Sequence, residues 1–135
     1  ELAEGNAQEL LYPDGTFDLA TIGFALRNVE SIEKVLKEMV RVVRPGGRAI
    51  SLEFTQPDNR FFRRIYYAYF FKILPVVGGI VSQDREAYSY LPDSVAGFQS
   101  KAELKEIMEK AGLEDIEIYS LTGGIVAVHV GVKPT

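Results

Sequence analysis

Cysteine is absent from this chain and histidine occurs once, at His129. A disulfide scaffold and a thiolate metal site are therefore excluded, and little remains from which to build a zinc or iron site on imidazole. Positive charge is also in short supply: 15 Lys and Arg stand against 19 Asp and Glu, a net charge of −4. Neutralising a nucleic-acid backbone needs clustered cations, so a general nucleic-acid binder is not expected. No charged-then-apolar leader opens the sequence, and its first residue is Glu1 rather than Met. The chain therefore reads as a fragment with no signal peptide, in a cytoplasmic setting. A glycine-rich turn is missing from the residues before Phe17.

What is present suits one domain or part of one. With 135 residues, 47% of them apolar and 25% charged, the chain can bury one core and is too short to suggest two. Pro13-Asp14-Gly15 signals a tight turn. Residues 17–24 are apolar without alternation, as expected of a strand buried on both faces of a parallel sheet. Ser31 is placed to cap a helix in which Ile32, Val35, Leu36, Met39, Val40 and Val43 recur on one stripe. Lys37, Arg41 and Arg44 suit the negative end of its dipole, and Pro45-Gly46-Gly47 is expected to stop it. Residues 49–54 then read as a second buried strand. The strand, crossover helix and strand should form a parallel unit.

Farther on, Ser100-Lys101-Ala102-Glu103 has capping-box spacing ahead of Leu104, Ile107, Met108 and Ala111, with Gly112 as the stop. Residues 116–121 and 125–132 read as strands joined through Thr122-Gly123-Gly124. So short a connection permits only an antiparallel hairpin. His129, within Val128-His129-Val130, is the one side chain with an ordinary pKa near neutrality. A general base and a hydrogen-bonded core histidine both fit it.

Between Arg60 and Lys72 lie four basic residues and no acidic one, in a chain that is otherwise acidic. If this stretch is helical, Phe61, Phe62, Ile65, Tyr66, Tyr69, Phe70, Ile73 and Leu74 form an apolar stripe, with Arg60, Arg63, Arg64 and Tyr67 on another face. Such a helix suits a bilayer interface or a lid packed over the sheet. Arg63, Arg64 and Lys72 interrupt any apolar run of about twenty residues, so it is not a membrane span.

Glu4-Gly5-Asn6-Ala7, the run 22–29 through Leu26-Arg27-Asn28-Val29, Arg41-Val42-Val43-Arg44-Pro45-Gly46-Gly47, Leu52-Glu53, Tyr88-Ser89-Tyr90-Leu91-Pro92 and the run 122–129 ending in His129 occur in order along nearly the whole chain. In them the sequence resembles the ubiquinone/menaquinone biosynthesis C-methyltransferases, most closely the demethylmenaquinone methyltransferase branch. The resemblance implies an α/β fold, the C-terminal part of a Rossmann-like class I methyltransferase. It comprises a parallel strand pair with its crossover helix, a helical lid over about 58–92 and a terminal antiparallel hairpin. It further implies S-adenosyl-L-methionine as methyl donor and a ring carbon of a prenylated quinol as acceptor. The glycine-rich loop and first two strands would lie outside these residues.

Carried onto this sequence, the resemblance places Asn6 and Ala7 against the donor's adenine and Gly23 and Phe24 beside the donor at the end of their strand. Arg27 and Asn28 would face the transferred methyl group, Arg27 as a fixed cation that stabilises the developing phenolate, with His129 as a secondary catalytic candidate; read without the resemblance, Arg27 pairing with a carboxylate and Asn28 capping a turn fit as well. Tyr66, Tyr88 and Tyr90 would line the quinol pocket. Because the missing first strand would neighbour residues 17–24, their edge is expected to be open, which favours a homodimer or swapped assembly. The 60–75 segment adds an expected contact with the inner membrane surface. The alternative is a self-associating or membrane-surface fragment without turnover.

Overall fold

Residues 2–73, 76 and 94–135 are described by the structure, a computed structural model. They run β1 (Phe17–Gly23), α1 (Ile32–Val42), β2 (Val43–Phe54), α2 (Arg60–Ala68), α3 (Lys101–Lys110), β3 (Glu114–Leu121) and β4 (Val126–Val132). The sheet has the order β1-β2-β4-β3. β1 and β2 are parallel, whereas β4 is antiparallel to both β2 and β3.

The start of α1 follows its sequence signal. The Ser31 hydroxyl accepts the Lys34 N–H at 3.3 Å, satisfying a donor that the first helical turn leaves open. Val35, Leu36, Met39 and Val40 are buried against Ala49 of β2 and Leu104, Met108 and Leu113 from α3 and its C-terminal side. Burying one such leucine contributes roughly 1.5–3 kcal/mol.

The end of α1 does not follow its signal. The helix stops at Val42, three residues before Pro45, and Val43 is already extended at ψ 138°. Pro45-Gly46-Gly47 lies inside β2, where the pairing jumps from Phe17↔Val43 to Leu19↔Arg48. Proline donates no ladder hydrogen bond, and Gly46 has φ 75°, so the triplet forms a bulge instead of a helix stop. Arg44, expected at the helix end, instead pairs with Asp18. Lys133 supplies the cation there, its Nζ donating to the Val43 carbonyl at 2.8 Å.

α3 is capped at both ends. Ser100 Oγ accepts the Glu103 N–H at 3.3 Å and Glu103 Oε2 accepts the Ser100 N–H at 2.8 Å. The bond from the Ser100 backbone holds the Glu103 carboxyl below its ordinary pKa. At the C-terminus Gly112, at φ 103°, donates to the Glu109 carbonyl and Leu113 to that of Met108. These two bonds form a Schellman closure, completed by apolar contact at Leu113.

Both α1 and α3 cover the same sheet face. Strand pairing puts Leu19, Leu52, Val128 and Tyr119 on the other, where they are half-buried or exposed. β1 was expected to be buried on both faces, yet none of its residues is fully buried. It has one hydrogen-bonded neighbour, β2, and its other edge is open among the described residues.

Candidate active site

Parallel strands bring the C-terminal ends of β1 and β2 to one edge, where ligands of open α/β sheets collect. β1 ends at Gly23, and Phe24 follows at φ 54°, a left-handed conformation that is uncommon for a bulky residue. Its N–H still reaches the Leu52 carbonyl at 2.8 Å. A Cβ on Gly23 would find only Leu52 Cδ2, at 4.0 Å. Packing therefore does not require glycine here, and the space beside this strand end is open.

The centre of the site is a residue that the sequence reading left without a role. Alternation along β2 directs Ala49, Ser51 and Glu53 toward the helices, and Glu53 is only 2% exposed. A buried carboxylate must be paired and hydrogen-bonded. Glu53 Oε1 accepts the Leu26 N–H at 2.9 Å, and Oε2 accepts Arg27 Nη1 at 2.8 Å and the Phe54 N–H at 3.3 Å. The Arg27 guanidinium lies 5.4 Å from the centre of the Phe54 ring, and Phe24 packs 4.8 Å from that ring. Arg27 Nε is buried with no hydrogen-bond partner among the described residues.

Arg27 is thus a fixed cation that also has the carboxylate partner left open by the sequence. Removing a lone guanidinium from water is costly, and Glu53 compensates it. What the pair offers a ligand is a fixed array of N–H donors. Asn28 closes the adjoining helical turn through its N–H to the Ala25 carbonyl, at 3.0 Å.

One cavity adjoins this pair directly, and a second lies beyond the Phe54 ring. The first, about 370 Å³, is lined by Leu26, Arg27, Val29, Glu30, Phe98 and Gln99 among others. The second, also about 370 Å³, is apolar, with Phe54, Phe62, Ile65, Tyr66, Phe70 and Ile125 in its walls. α2 begins at Asn59, whose Oδ1 accepts the Phe61 and Phe62 N–H groups at 2.9 and 3.0 Å. Of the apolar stripe expected on this helix, only Tyr66 and Phe70 are buried. Phe61, Phe62, Ile65, Tyr69 and Ile73 are exposed, and Leu74 lies outside the described residues. Tyr66 and Phe70 are buried with Val95 against Phe54 and Ile125.

Tyr66 stacks on Phe70 at 4.8 Å, and its buried hydroxyl has no partner among the described residues. Burial, then the neighbouring Tyr67, push its pKa up to about 12. At neutral pH it is a phenol that can donate. Tyr88 and Tyr90 lie outside the described residues.

His129 is not brought into either cavity. It sits opposite Ser51 on β2, 2% exposed, with Nε2 3.0 Å from the Lys101 carbonyl. A carbonyl only accepts, so Nε2 carries the proton. Nδ1 and Ser51 Oγ have no partners among the described residues. Burial lowers the pKa of His129 from 6.5. The unfolded chain therefore binds more protons between that value and the lowered folded one. His129's stabilisation is complete above pH 6.5 and is lost as pH falls through the folded pKa. Urea titrations at pH 7.5 and 5.5 should show a smaller loss of stability in His129→Gln than in the unsubstituted protein. Equal losses would contradict the buried neutral imidazole.

On the other side of β1, Asn6 Oδ1 accepts the Gln8 N–H at 2.9 Å and the Asn6 carbonyl accepts the Glu9 N–H at 3.0 Å. The carboxamide oxygen is thus committed to a turn, the role its composition favours. Ala7 lines a groove of about 400 Å³ with Leu10, Phe17, Ile22, Val35 and Met39 among others.

Comparison with known proteins adds to this geometry. The model of the ubiE/COQ5 methyltransferase family matches residues 1–133. A demethylmenaquinone methyltransferase of Bacillus cytotoxicus is 49% identical over 134 residues, which is 99% of this chain and 56% of the relative. A ubiquinone/menaquinone biosynthesis C-methyltransferase UbiE of Stutzerimonas stutzeri is 44% identical over 97% of this chain and 51% of its own length. The chain thus spans about half the length of these curated relatives. Among solved structures, a SAM-dependent methyltransferase from Thermotoga maritima, described as a possible histamine N-methyltransferase, superposes with a TM-score of 0.65. It is 22% identical, and the match covers 96% of this chain and 62% of that one. At that identity the likeness shows the fold, which is that of a class I methyltransferase.

Proposed function

Since the chain belongs to the ubiE/COQ5 methyltransferase family, we propose that it forms the C-terminal, acceptor-side portion of an enzyme that transfers a methyl group from S-adenosyl-L-methionine to a ring carbon of a prenylated quinol. The observation that carries this reading is Phe54. It has the Arg27–Glu53 pair on one side and an apolar groove on the other. A ligand spanning both needs a polar head and a hydrocarbon tail. A quinol ring bearing an isoprenoid chain has that form.

Asn6, Ala7, Gly23 and Phe24 would hold the donor, and the open space at Gly23 leaves room for it. S-adenosyl-L-methionine, when bound, supplies an electrophilic methyl on a sulfonium. The acceptor must become electron-rich as its hydroxyl loses a proton. Arg27, held rigid by Glu53, presents N–H donors to the forming phenolate. Such preorganised donors stabilise charge that develops in a water-poor site. Asn28 belongs to the same turn and would flank the acceptor. Arginine is a poor proton acceptor, so the proton leaves by another route. His129 is too enclosed under α3 to receive it and is assigned to the core. Tyr66 would meet the acceptor from the apolar side, and Tyr88 and Tyr90, assigned to the same pocket from the sequence, lie outside the described residues.

A quinol without its tail tests the groove. Each buried methylene contributes roughly 0.8 kcal/mol, so removing even one isoprenoid unit should raise KM at least about tenfold. Equal KM values would contradict the assignment.

The surface supports two further readings. The open edge of β1 favours pairing with the N-terminal portion of the enzyme or with a second copy. A stable monomer at high concentration in light scattering would remove the second copy and leave the first. Exposed Phe61 and Ile65 beside Arg60, Arg64 and Lys72 favour contact with an anionic membrane surface. No helix among the described residues is long and apolar enough to cross a membrane. Failure to pellet with anionic vesicles would remove the membrane contact.

A further inference from the structure

One side chain ties the segment before β1 to helix α1, and none of the roles above uses it. Arg41 lies in the last turn of α1, three residues after Glu38, on the same helix face. Its Nε donates to Glu38 Oε1 and its Nη2 to Glu38 Oε2, both at 2.8 Å. This bidentate pair fixes the plane of the guanidinium. The remaining donors then point away from the helix, Nη2 to the Leu10 carbonyl at 2.9 Å and Nη1 to the Tyr12 carbonyl at 2.8 Å and Asp14 Oδ1 at 2.7 Å. All five N–H groups of the guanidinium are used.

The strap is reciprocal. Glu38 Oε2 accepts the Leu10 N–H at 2.7 Å, so both backbone groups of Leu10 are held. The Arg41 carbonyl accepts the Gly15 N–H at 2.9 Å. Gripping Leu10, Tyr12 and Asp14 from one plane fixes the path of residues 10–15 along the helix. The Asn6 turn closes at Glu9, one residue before the grip begins. No slack lies between the turn and its anchor.

From this we infer that Arg41, oriented by Glu38, is a positioning residue for the turn at Asn6 and Ala7, and so sets affinity for the nucleoside part of the methyl donor. The inference rests on the reading that this turn meets the donor's adenine. Lysine cannot replace arginine here, because a compact ammonium carries three donors and no planar fork. The Glu38 carboxyl is held down to about 2, chiefly by its hydrogen bond to Arg41, in keeping with a pair that stays ionised. Arg41 touches neither the Arg27–Glu53 pair nor the apolar groove, so its loss should leave acceptor binding unchanged.

The test uses Arg41→Lys in the intact protein, with S-adenosylhomocysteine titrated by calorimetry and exchange of the Leu10 amide followed by mass spectrometry. The expected result is a Kd raised about tenfold or more, faster exchange over residues 6–12, and unchanged kcat and quinol KM at saturating donor. Leu104→Ala, which opens a cavity in the core but removes none of the strap's hydrogen bonds, should lower Tm without changing that Kd. An unchanged Kd in Arg41→Lys, or equal losses in the two variants, would overturn the inference and leave the methyltransferase reading intact. No binding by the unsubstituted protein would remove that reading, and the inference with it.

Discussion

Replacing Arg27 with methionine should lower the free energy of unfolding by about 3–5 kcal/mol, the cost typical of removing one partner from a buried ion pair. It should also abolish methyl transfer. The Glu53 side chain is 3% exposed and that of Arg27 11%, so the remaining carboxylate cannot turn to water without opening the end of β2. The Leu26 and Phe54 N–H groups would still serve it, but no cation would. The double variant Arg27→Met with Glu53→Gln removes both charges and should recover most of the lost stability. It should not recover turnover, because the donors proposed to face the acceptor are gone. Urea unfolding followed by circular dichroism reads the first effect and transfer of labelled methyl the second. Unsubstituted stability in Arg27→Met would show that the pair is not a buried one. Activity in the double variant would show that Arg27 has no part in the chemistry.

The second large effect is expected far from the chemistry, at Gly47. A Cβ there would lie 2.5 Å from Val43 Cγ1, 2.7 Å from the Asp18 carbonyl oxygen and 2.9 Å from the Arg44 carbonyl oxygen. Two of these are backbone atoms on either side of the bulge, so relief requires β1 and β2 to move apart. Overpacking of this kind costs about 3 kcal/mol, so Gly47→Ala should melt well below the unsubstituted protein and fold in lower yield. β1 ends in Gly23 and Phe24, so any survivor should also bind the donor poorly. Gly23→Ala provides the contrast, since its new Cβ meets nothing closer than 4.0 Å. Its stability should stay within about 0.5 kcal/mol of the original. If melting temperatures fell equally in the two variants, the tight approach at the bulge would not be the cause.

Gly47 also marks a limit of reading this chain from sequence. Pro45-Gly46-Gly47 after an amphipathic run signals a break, and a break is there. Whether it ends the helix or kinks the strand depends on Asp18 and Phe17 across the ladder, which local spacing does not encode. The helix caps and the hairpin are legible because their signals are local. Ser100 and Glu103 satisfy each other within one turn, and the short link from Leu121 to Ile125 permits one geometry. β1 was misjudged because an apolar run does not say how many neighbours a strand has.

The site was legible in position and less so in partnership. Leu26-Arg27-Asn28 was placed at the strand end, but the carboxylate that holds Arg27 lies 26 residues farther along the chain. A signal for it existed: Glu53 is the one acidic residue of β2 and the one charged residue of 49–54, at the end where ligands collect. His129 drew attention as the only imidazole and proved to be a core group bound to the first turn of α3. Asn6 likewise spends its carboxamide oxygen on a turn. Arg41 could not be found from spacing alone, because the carbonyls it holds lie 29 and 31 residues away.

Carbon methylation of a prenylated quinol is the central claim, and carbon NMR of the product tests it most directly. The intact protein is supplied with a donor carrying a ¹³C methyl group and with a prenylated hydroquinone. A new signal is expected in the range of methyl groups on aromatic carbon, absent when Arg27→Met is used. A signal in the methoxy range, or none from an unsubstituted protein that binds both substrates, would contradict it.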